Sequence, residues 1–513
     1  MVGAKGSWAA KVRAMFAGPA VLVGLMYALS LLSTWLMNVT AYPGFHGFAP
    51  WARDVATAVG GAAGVGYALY ARWHPYGLLG RTGLGACYAL FAAGPLLMLW
   101  GVAWASPALA LAGSCARSAA GPFMGVYLVF SLMDLTGPQR MGALVASYGA
   151  YYAGVGLLEP LTFLQAPWVQ SMLELLFVVS PLAAVGLLYR RALPMLRQAG
   201  ALGTQADLSP TNPAPFLLLN HRLYVVAALF QAAMGYATTF ASSQSYPQPL
   251  LPAMGVLALL AACLLLVGDS KPIDGLYTLA FGCALAGFLL IPGAVAGLGP
   301  AMTLACGSLC RAGEALFRIA LWAAVASIGA RNPVGALPLV LMVNGVGGFG
   351  FELGALTGHG TNYLITAHPE LVFVVVVAIV FGFAMYNFVL ARTFSFDATV
   401  AGVEPVQPVR ELSEEAAGVR DYDAVCAAYG RARPYRPRGR GAAAPGAGPQ
   451  RGLHHGGAHA FAQHHQVVRG PGLRQARRAL APGADRPGGA RGGGAVRGST
   501  PSSPEWCGVR ADW

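Results

Sequence analysis

The chain has 513 residues, of which 56% are hydrophobic and 10% charged, with a formal net charge of +13 and a mean hydropathy of +0.56. A water-soluble domain carries about 25% charged residues, so the composition excludes an ordinary soluble enzyme. The basic excess is uneven, with 17 Lys and Arg before residue 400 and 16 after it, so the tail rather than the whole chain is basic.

Apolar runs of about 20 residues, each long enough to cross a hydrocarbon core about 30 Å thick, recur along the chain. The N-terminal run follows Lys5, Lys11 and Arg13; it is too long for a signal peptide and no small-residue cleavage site follows, so it reads as a first membrane helix. Twelve spans are predicted, at roughly 15–37, 54–71, 83–104, 107–133, 141–164, 168–189, 222–242, 249–268, 274–292, 299–329, 334–356 and 368–391. The second is rich in Gly and Ala, and the tenth carries three charges.

With both ends inside, the cytoplasmic segments collect Lys5, Lys11, Arg13, Arg72, Arg81, Arg140, Arg190, Arg191, Arg197, Lys271, Arg331 and Arg392, and the opposite loops hold only Arg53. The longest internal loop, 190–221, contains Pro and Gly and separates two six-helix halves, 14–189 and 222–392. Residues 1–13 form a cytoplasmic N-terminus, 393–430 a cytoplasmic linker and 431–513 a tail.

The halves carry a faint internal repeat. Gly113-Ser114-Cys115-Ala116-Arg117 returns 194 residues later as Gly307-Ser308-Leu309-Cys310-Arg311, and Glu159 and Glu352 are 193 residues apart. A charge at the membrane centre costs about 2.5 to 3.5 kcal/mol on insertion scales and therefore faces the bundle interior and pairs. The expectation is that Arg117 pairs with Glu159 and Arg311 with Glu352, and that the four residues form a ligand pocket or gate. The alternatives are helix glue and, for the two glutamates, an interfacial position. Glu314 and Arg318 have the spacing of a same-helix structural pair, and Glu174 is a further intramembrane charge. Tyr151 and Tyr152, like Trp100 and Trp104, read as packing or interfacial residues.

Cys87, Cys115, Cys263, Cys283, Cys306 and Cys310 lie in apolar runs, Cys426 and Cys507 in the tail, without zinc spacing or a disulfide framework. His454, His455, His464 and His465 sit among Gly, Ala and Arg without an apolar scaffold, so neither a metal nor a cofactor is expected. No nucleophile with a base and no phosphate loop is found, so an enzyme is not expected.

Two six-helix halves, a basic central loop and an arginine in the fourth span resemble the major facilitator superfamily over about residues 14–392. The resemblance implies an all-α polytopic fold. The family's signature loop after the second span combines glycines, an acidic residue and basic ones; the stretch from Ala71 to Arg81 keeps Gly80 and Arg81 but has no Asp. That departure bears on the conformational switch the motif implies, and a sensor keeps the fold without cycling.

From Arg431 the sequence turns to Gly, Arg, Pro and Ala without apolar periodicity, the composition of a disordered tail. It also has the character of a GC-rich gene read out of frame. The codons for Gln463-His464-His465-Gln466, read one nucleotide later, encode only Asn or Ser, Thr or Ile, Thr or Ile, and Lys or Arg. Extended over Arg433 to Pro487 with synonymous codons free, the shifted frame yields a string resembling the LuxR-type helix-turn-helix domain, including S-x-N-T-x-K and K-L-G-V-x-S-R-Q-E-L. That combination resembles membrane-tethered transcriptional regulators of high-GC bacteria. It implies a bacterial inner-membrane sensor with both termini cytoplasmic, partnered by the lipid bilayer and an unknown small molecule, and by DNA only in a frame-restored form. The alternative is a secondary transporter of a small molecule.

Overall fold

In a computed structural model of the chain, the described residues are 8–403 apart from 75–76, 79, 165, 204–220, 243–254, 256–271, 296–298 and 392–393. Among them the secondary structure is helical, with no strand. A short helix α1 (Trp8–Met15) precedes the first half, which comprises α2 (Gly18–Thr40), the single turn α3 (Tyr42–Phe45), α4 (Ala52–Trp73), α5 (Arg81–Ala103), α6 (Pro107–Met133), α7 (Gly137–Thr162) and α8 (Pro167–Gly203). The second half holds α9 (Arg222–Ser242), α10 (Pro272–Val295), α11 (Pro300–Arg331), α12 (Pro333–Ala367) and α13 (Pro369–Ala391), followed by α14 (Phe396–Ala401).

Among the described residues nine helices are long and apolar enough to cross a membrane. The expected second span, α4, is a helix but falls outside those nine because its Gly and Ala lower its hydropathy; the charged tenth span, α11, is among them. The protein is a multi-pass, all-α membrane protein. The eighth expected span, 249–268, lies outside the described residues but for Gly255, as do the linker and tail from residue 404 onward.

Proline punctuates the bundle. Pro107, Pro167, Pro272, Pro300, Pro333 and Pro369 each open a helix, the position where the missing N–H costs nothing and the fixed φ already suits the helix. Gly299 precedes α11 with φ of +116°, a backbone value that favours glycine. At the start of α7, Thr136 and Gln139 form a reciprocal capping box.

Helix α8 continues past residue 189, through the start of the expected central loop, to Gly203. The cause is a stripe of buried residues at helical spacing, Leu188, Ala192, Leu196 and Ala199, which keeps one face covered while Arg190, Arg191 and Arg197 occupy other faces. Arg191 reaches back to Asp134 at 2.7 Å.

Within the first half α2 packs on α7 and α8, and α6 on α4, α5 and α8; within the second, α9 packs on α12 and α10 on α11. The core of the second half is aromatic: Phe230 of α9 stacks on Phe317 of α11 at 3.9 Å, and Phe383 of α13 meets Phe230 edge-on at 6.0 Å. Between halves, α4 lies along α12, and α11 touches α6 and α7. At the α4/α12 seam the backbones meet through glycines, since a Cβ on Gly64 would stand 2.7 Å from Gly345 Cα. Small residues allow such close approach where no hydrophobic driving force separates lipid from protein.

Helix α14 falls where a linker was expected. Ser395 caps it by accepting from the Ala398 N–H at 3.0 Å, and Asp274 of α10 accepts from the Phe396 N–H at 2.6 Å. Arg331, ending α11, donates to the carbonyls of Ala401 and Val403 at 3.1 and 3.2 Å. Phe396 is fully buried against Tyr277. A chain ending after Val403 should therefore match the full chain in thermal unfolding in detergent, whereas Asp274→Ala should lower the midpoint by several degrees, because it removes a charged acceptor worth about 1.5 to 3 kcal/mol per bond. An unaltered midpoint for Asp274→Ala would show that α14 does not brace the second half.

Candidate functional site

The charged stretch of α11 is built from spacing. Arg311, Glu314 and Arg318 follow one another at three and four residues, so a regular helix brings them onto one face. Glu314 accepts from both sides: Arg311 Nη1 lies 3.3 Å from Oε2, and Arg318 Nη2 lies 3.0 Å from Oε1. Arg318 Nη2 also donates to Gln231 Oε1 of α9 at 3.4 Å. At 1.5 Å rise per residue the three stand about 17 to 27 Å from the start of a helix about 48 Å long, near mid-height.

Helix α11 is the most deeply packed of the nine membrane-length helices, yet Arg311 and Arg318 keep 29% and 33% of their side-chain surface accessible and Glu314 15%. The triad faces the other half. Tyr27 of α2 and Tyr148, Tyr151 and Tyr152 of α7 lie within electrostatic reach of it. The triad therefore lies beside helices of both halves. Two guanidinium ions around one carboxylate give the triad itself one net positive charge; Glu159, in no ion pair with either arginine, is also within electrostatic reach of Tyr151.

The halves also meet through polar contacts at opposite ends of the bundle. Asp54, in the first turn of α4, lies 3.2 Å from His359 Nε2 near the end of α12, an ion pair when the imidazole carries a proton. At the other end Arg140 of α7 donates to the α6 carbonyls of Leu132 and Met133 at 3.0 and 3.1 Å, and to Ser327 Oγ of α11 at 3.2 Å. Because α4 and α12 run antiparallel, these contacts lie on either side of the triad.

The expected pairs do not form. Arg117 of α6, 7% exposed, donates to Ser33 Oγ of α2 at 3.0 Å and lies 4.6 Å over the Phe91 ring of α5. Among the described residues no acid lies within salt-bridge distance of Arg117. Glu159 sits half-buried near the end of α7, its side chain in no ion pair among the described residues. Arg311 turns to Glu314 on its own helix, and Glu352, 7% exposed, lies within electrostatic reach of Asp54 and Arg53 of α4. The physical reason is rotational. Register repeats fix the height of a residue but not the face it presents, and the next turn of α11 satisfies Arg311 more locally than a second helix does. Sequence reading missed Gln231, Tyr27 and Tyr148 and treated Tyr151 and Tyr152 as packing or interfacial; the signal available was the spacing of three and four residues that sets the α7 tyrosines on one face. Glu174 is met by Gln170 at 2.7 Å on the exposed side of α8. His454, His455, His464 and His465 lie outside the described residues.

No family model and no curated protein matches the chain. Solved structures do. The human organic anion transporter MFSD10 is 14% identical, with a TM-score of 0.46, and the likeness covers 74% of this chain and 99% of that one. The major facilitator superfamily proton:xylose symporter XylE is 12% identical, with a TM-score of 0.44 over 74% and 95%. The Escherichia coli fucose:proton symporter FucP is 16% identical, with a TM-score of 0.43 over 73% and 99%. The likeness is one of fold, all-α and major-facilitator-like. The expectation of a sensor half of a LuxR-type regulator is corrected by these findings: the similar structures are transporters, and no family model or curated relative supports a regulator or a DNA partner.

The geometry ranks two substitutions in the opposite order from the expected pairing. Ser33→Ala should destabilise the protein by about 1 to 3 kcal/mol, since it strips a buried donor of its partner, while Glu159→Gln should stay within about 0.5 kcal/mol. Denaturation of both variants in detergent checks this; a larger loss from Glu159→Gln would restore the Arg117–Glu159 pair.

Proposed function

We propose that the chain is a secondary transporter of the major-facilitator type, passing a small molecule through a site shared by its two halves. The observation that carries this reading is the accessible Arg311–Glu314–Arg318 triad at mid-height of α11, facing α2 and α7 of the other half. Each charge at that depth costs several kcal/mol unless paired or hydrated. A triad serving only to glue helices would bury all its donors; here both arginines retain free surface, which favours a ligand site.

Transport by alternating access requires the halves to part at one end while they hold at the other. The protein supplies a breakable contact at each end, Asp54 with His359 and Arg140 with Ser327. The seam between α4 and α12 receives Phe349 against Gly61 and Val65 against Gly345, and in this reading it is the joint about which one half rocks on the other. Arg117, held by Ser33 and Phe91, serves in this reading to fix α2, α5 and α6 as one body, and Glu352 belongs to the end that carries Asp54. The face bearing Arg140 and Arg331 is the cytoplasmic one, supported by the concentration of Lys and Arg in its loops.

Reconstituted in liposomes, the protein should accumulate at least one solute from a panel of labelled sugars, amino acids, nucleosides and carboxylates above protein-free vesicles. With Asp54→Cys and His359→Cys introduced together, oxidation should cut that uptake to the vesicle background and a reducing agent should restore it. Uptake that persists with the cross-link formed, or no uptake of any panel member, would sink the transporter reading.

A further inference from the structure

We infer that the solute recognised at the α11 site is a small organic monocarboxylate, bound through Arg311 and Arg318 with its apolar body against Tyr151 of α7. This rests on the transporter reading and adds the class of substrate to it.

The charge balance sets the class. Glu314 neutralises one of the two guanidinium ions, so the triad itself carries one net positive charge in a membrane interior where a lone charge is costly. A ligand with one negative charge brings the triad to neutrality. A neutral sugar leaves the charge uncompensated, a cation adds to it, and a dianion overshoots. A guanidinium has five N–H donors in a planar fork matched to a carboxylate. Arg311 spends one nitrogen on Glu314, and Arg318 spends Nε and Nη2 on Glu314 and Gln231. Donors therefore remain on both arginines, and the accessible third of Arg318 shows where a carboxylate can approach.

The walls set the rest of the ligand. Tyr148, Tyr151 and Tyr152 stand on one face of α7 opposite the triad, Tyr151 and Tyr152 with ring centroids 5.1 Å apart. The Tyr148 hydroxyl is buried with no hydrogen-bond partner in the protein, so it lies behind the accessible surface and does not itself contact the solute. Tyr148 and Tyr152 are buried and Tyr151 is partly exposed, so an amphiphilic acid whose charged end meets the arginines has the Tyr151 ring for its apolar end.

Glu314 then acts as a charge setter. Replacing it with Gln leaves two arginines uncompensated, so Glu314→Gln should shift preference from a monoanion toward a dianion, whereas Arg318→Gln should abolish anion binding. The probes are benzoate, its neutral analogue benzamide, the dianion phthalate and the anionic lipid phosphatidylglycerol, added to the purified full chain in detergent. Calorimetry should show benzoate bound and benzamide at least about tenfold weaker, the loss expected when a charged hydrogen bond is removed. Glu314→Gln should bind phthalate at least about tenfold tighter than the unaltered protein, and benzoate or phthalate should raise its unfolding midpoint; this gain of binding cannot come from misfolding. Benzoate binding without uptake in the liposomes would uphold the ligand class and reject the transporter reading. Uptake of a neutral solute unaffected by benzoate would keep the transporter reading and overturn the ligand class. Benzamide binding as well as benzoate, phosphatidylglycerol alone occupying the site, or an unchanged phthalate affinity in Glu314→Gln would each overturn the inference.

Discussion

The cost of placing charge inside a membrane governs this molecule more than any other term. Water-soluble proteins scatter ions over their surfaces at little expense, but each ion at mid-bilayer must be paired, hydrated or solvated by ring faces. The described helices use all three remedies. Arg311 and Arg318 share Glu314 on one helix; both retain accessible surface toward α2 and α7; and Arg117, without an acid among the described residues, is met by a hydroxyl and the face of Phe91. The helices around these charges are placed to make those remedies available.

Packing provides the freedom that the charges then use. Lipid tails are as apolar as leucine, so the halves are not driven together by hydrophobic burial and must hold by contact quality. At the α4/α12 seam that quality comes from backbone approaching backbone at Gly64 and Gly345, with Phe349 and Val65 packed against the facing glycines. Among the described residues, Asp54 and His359 add a polar contact at one end of that seam, and Arg140 and Ser327 another at the α7/α11 corner. The second half is stiffened differently, by stacked Phe230 and Phe317 and by α14 strapped through Asp274 and Arg331. A joint between two stiff bodies is the mechanical requirement for opening one end at a time.

The fold was legible because membrane helices announce themselves by length and hydropathy, and because proline marks their starts at Pro107, Pro300 and Pro333. Heights were legible too, since the two arginines sit 194 residues apart in matching segments. What sequence could not supply was rotation. Glu159 lies near the end of α7 while Arg117 lies ten residues inside α6, and it sits in no ion pair among the described residues; Glu352 instead lies within electrostatic reach of Asp54 and Arg53. Spacing within a single helix was the better guide, because three- and four-residue neighbours share a face whatever the tertiary packing. The same limit explains α8, whose extension to Gly203 depends on which face of 188–199 is covered. The regulator expectation drew on a frame-shifted reading of residues outside the described structure, where neither packing nor comparison supplies support.

The internal repeat then carries an argument about where function resides. Two arginines at matching positions began with equal potential to bind an anion, but their surroundings differ in one respect that decides between them. Arg117 is enclosed, 7% exposed, with Gly94 of α5 packed so closely that a Cβ there would lie 2.9 Å from the Arg117 Cβ. No ligand reaches it without separating α5 from α6. Arg311 belongs to a triad that keeps part of its surface accessible and lies beside the tyrosines of the first half. One cation has become part of the frame of its half, and the other remains available. Among the described residues, one arginine is enclosed with a hydroxyl and a ring for partners, and the other shares a carboxylate with Arg318 and keeps accessible surface; it is the second on which the proposed ligand site rests.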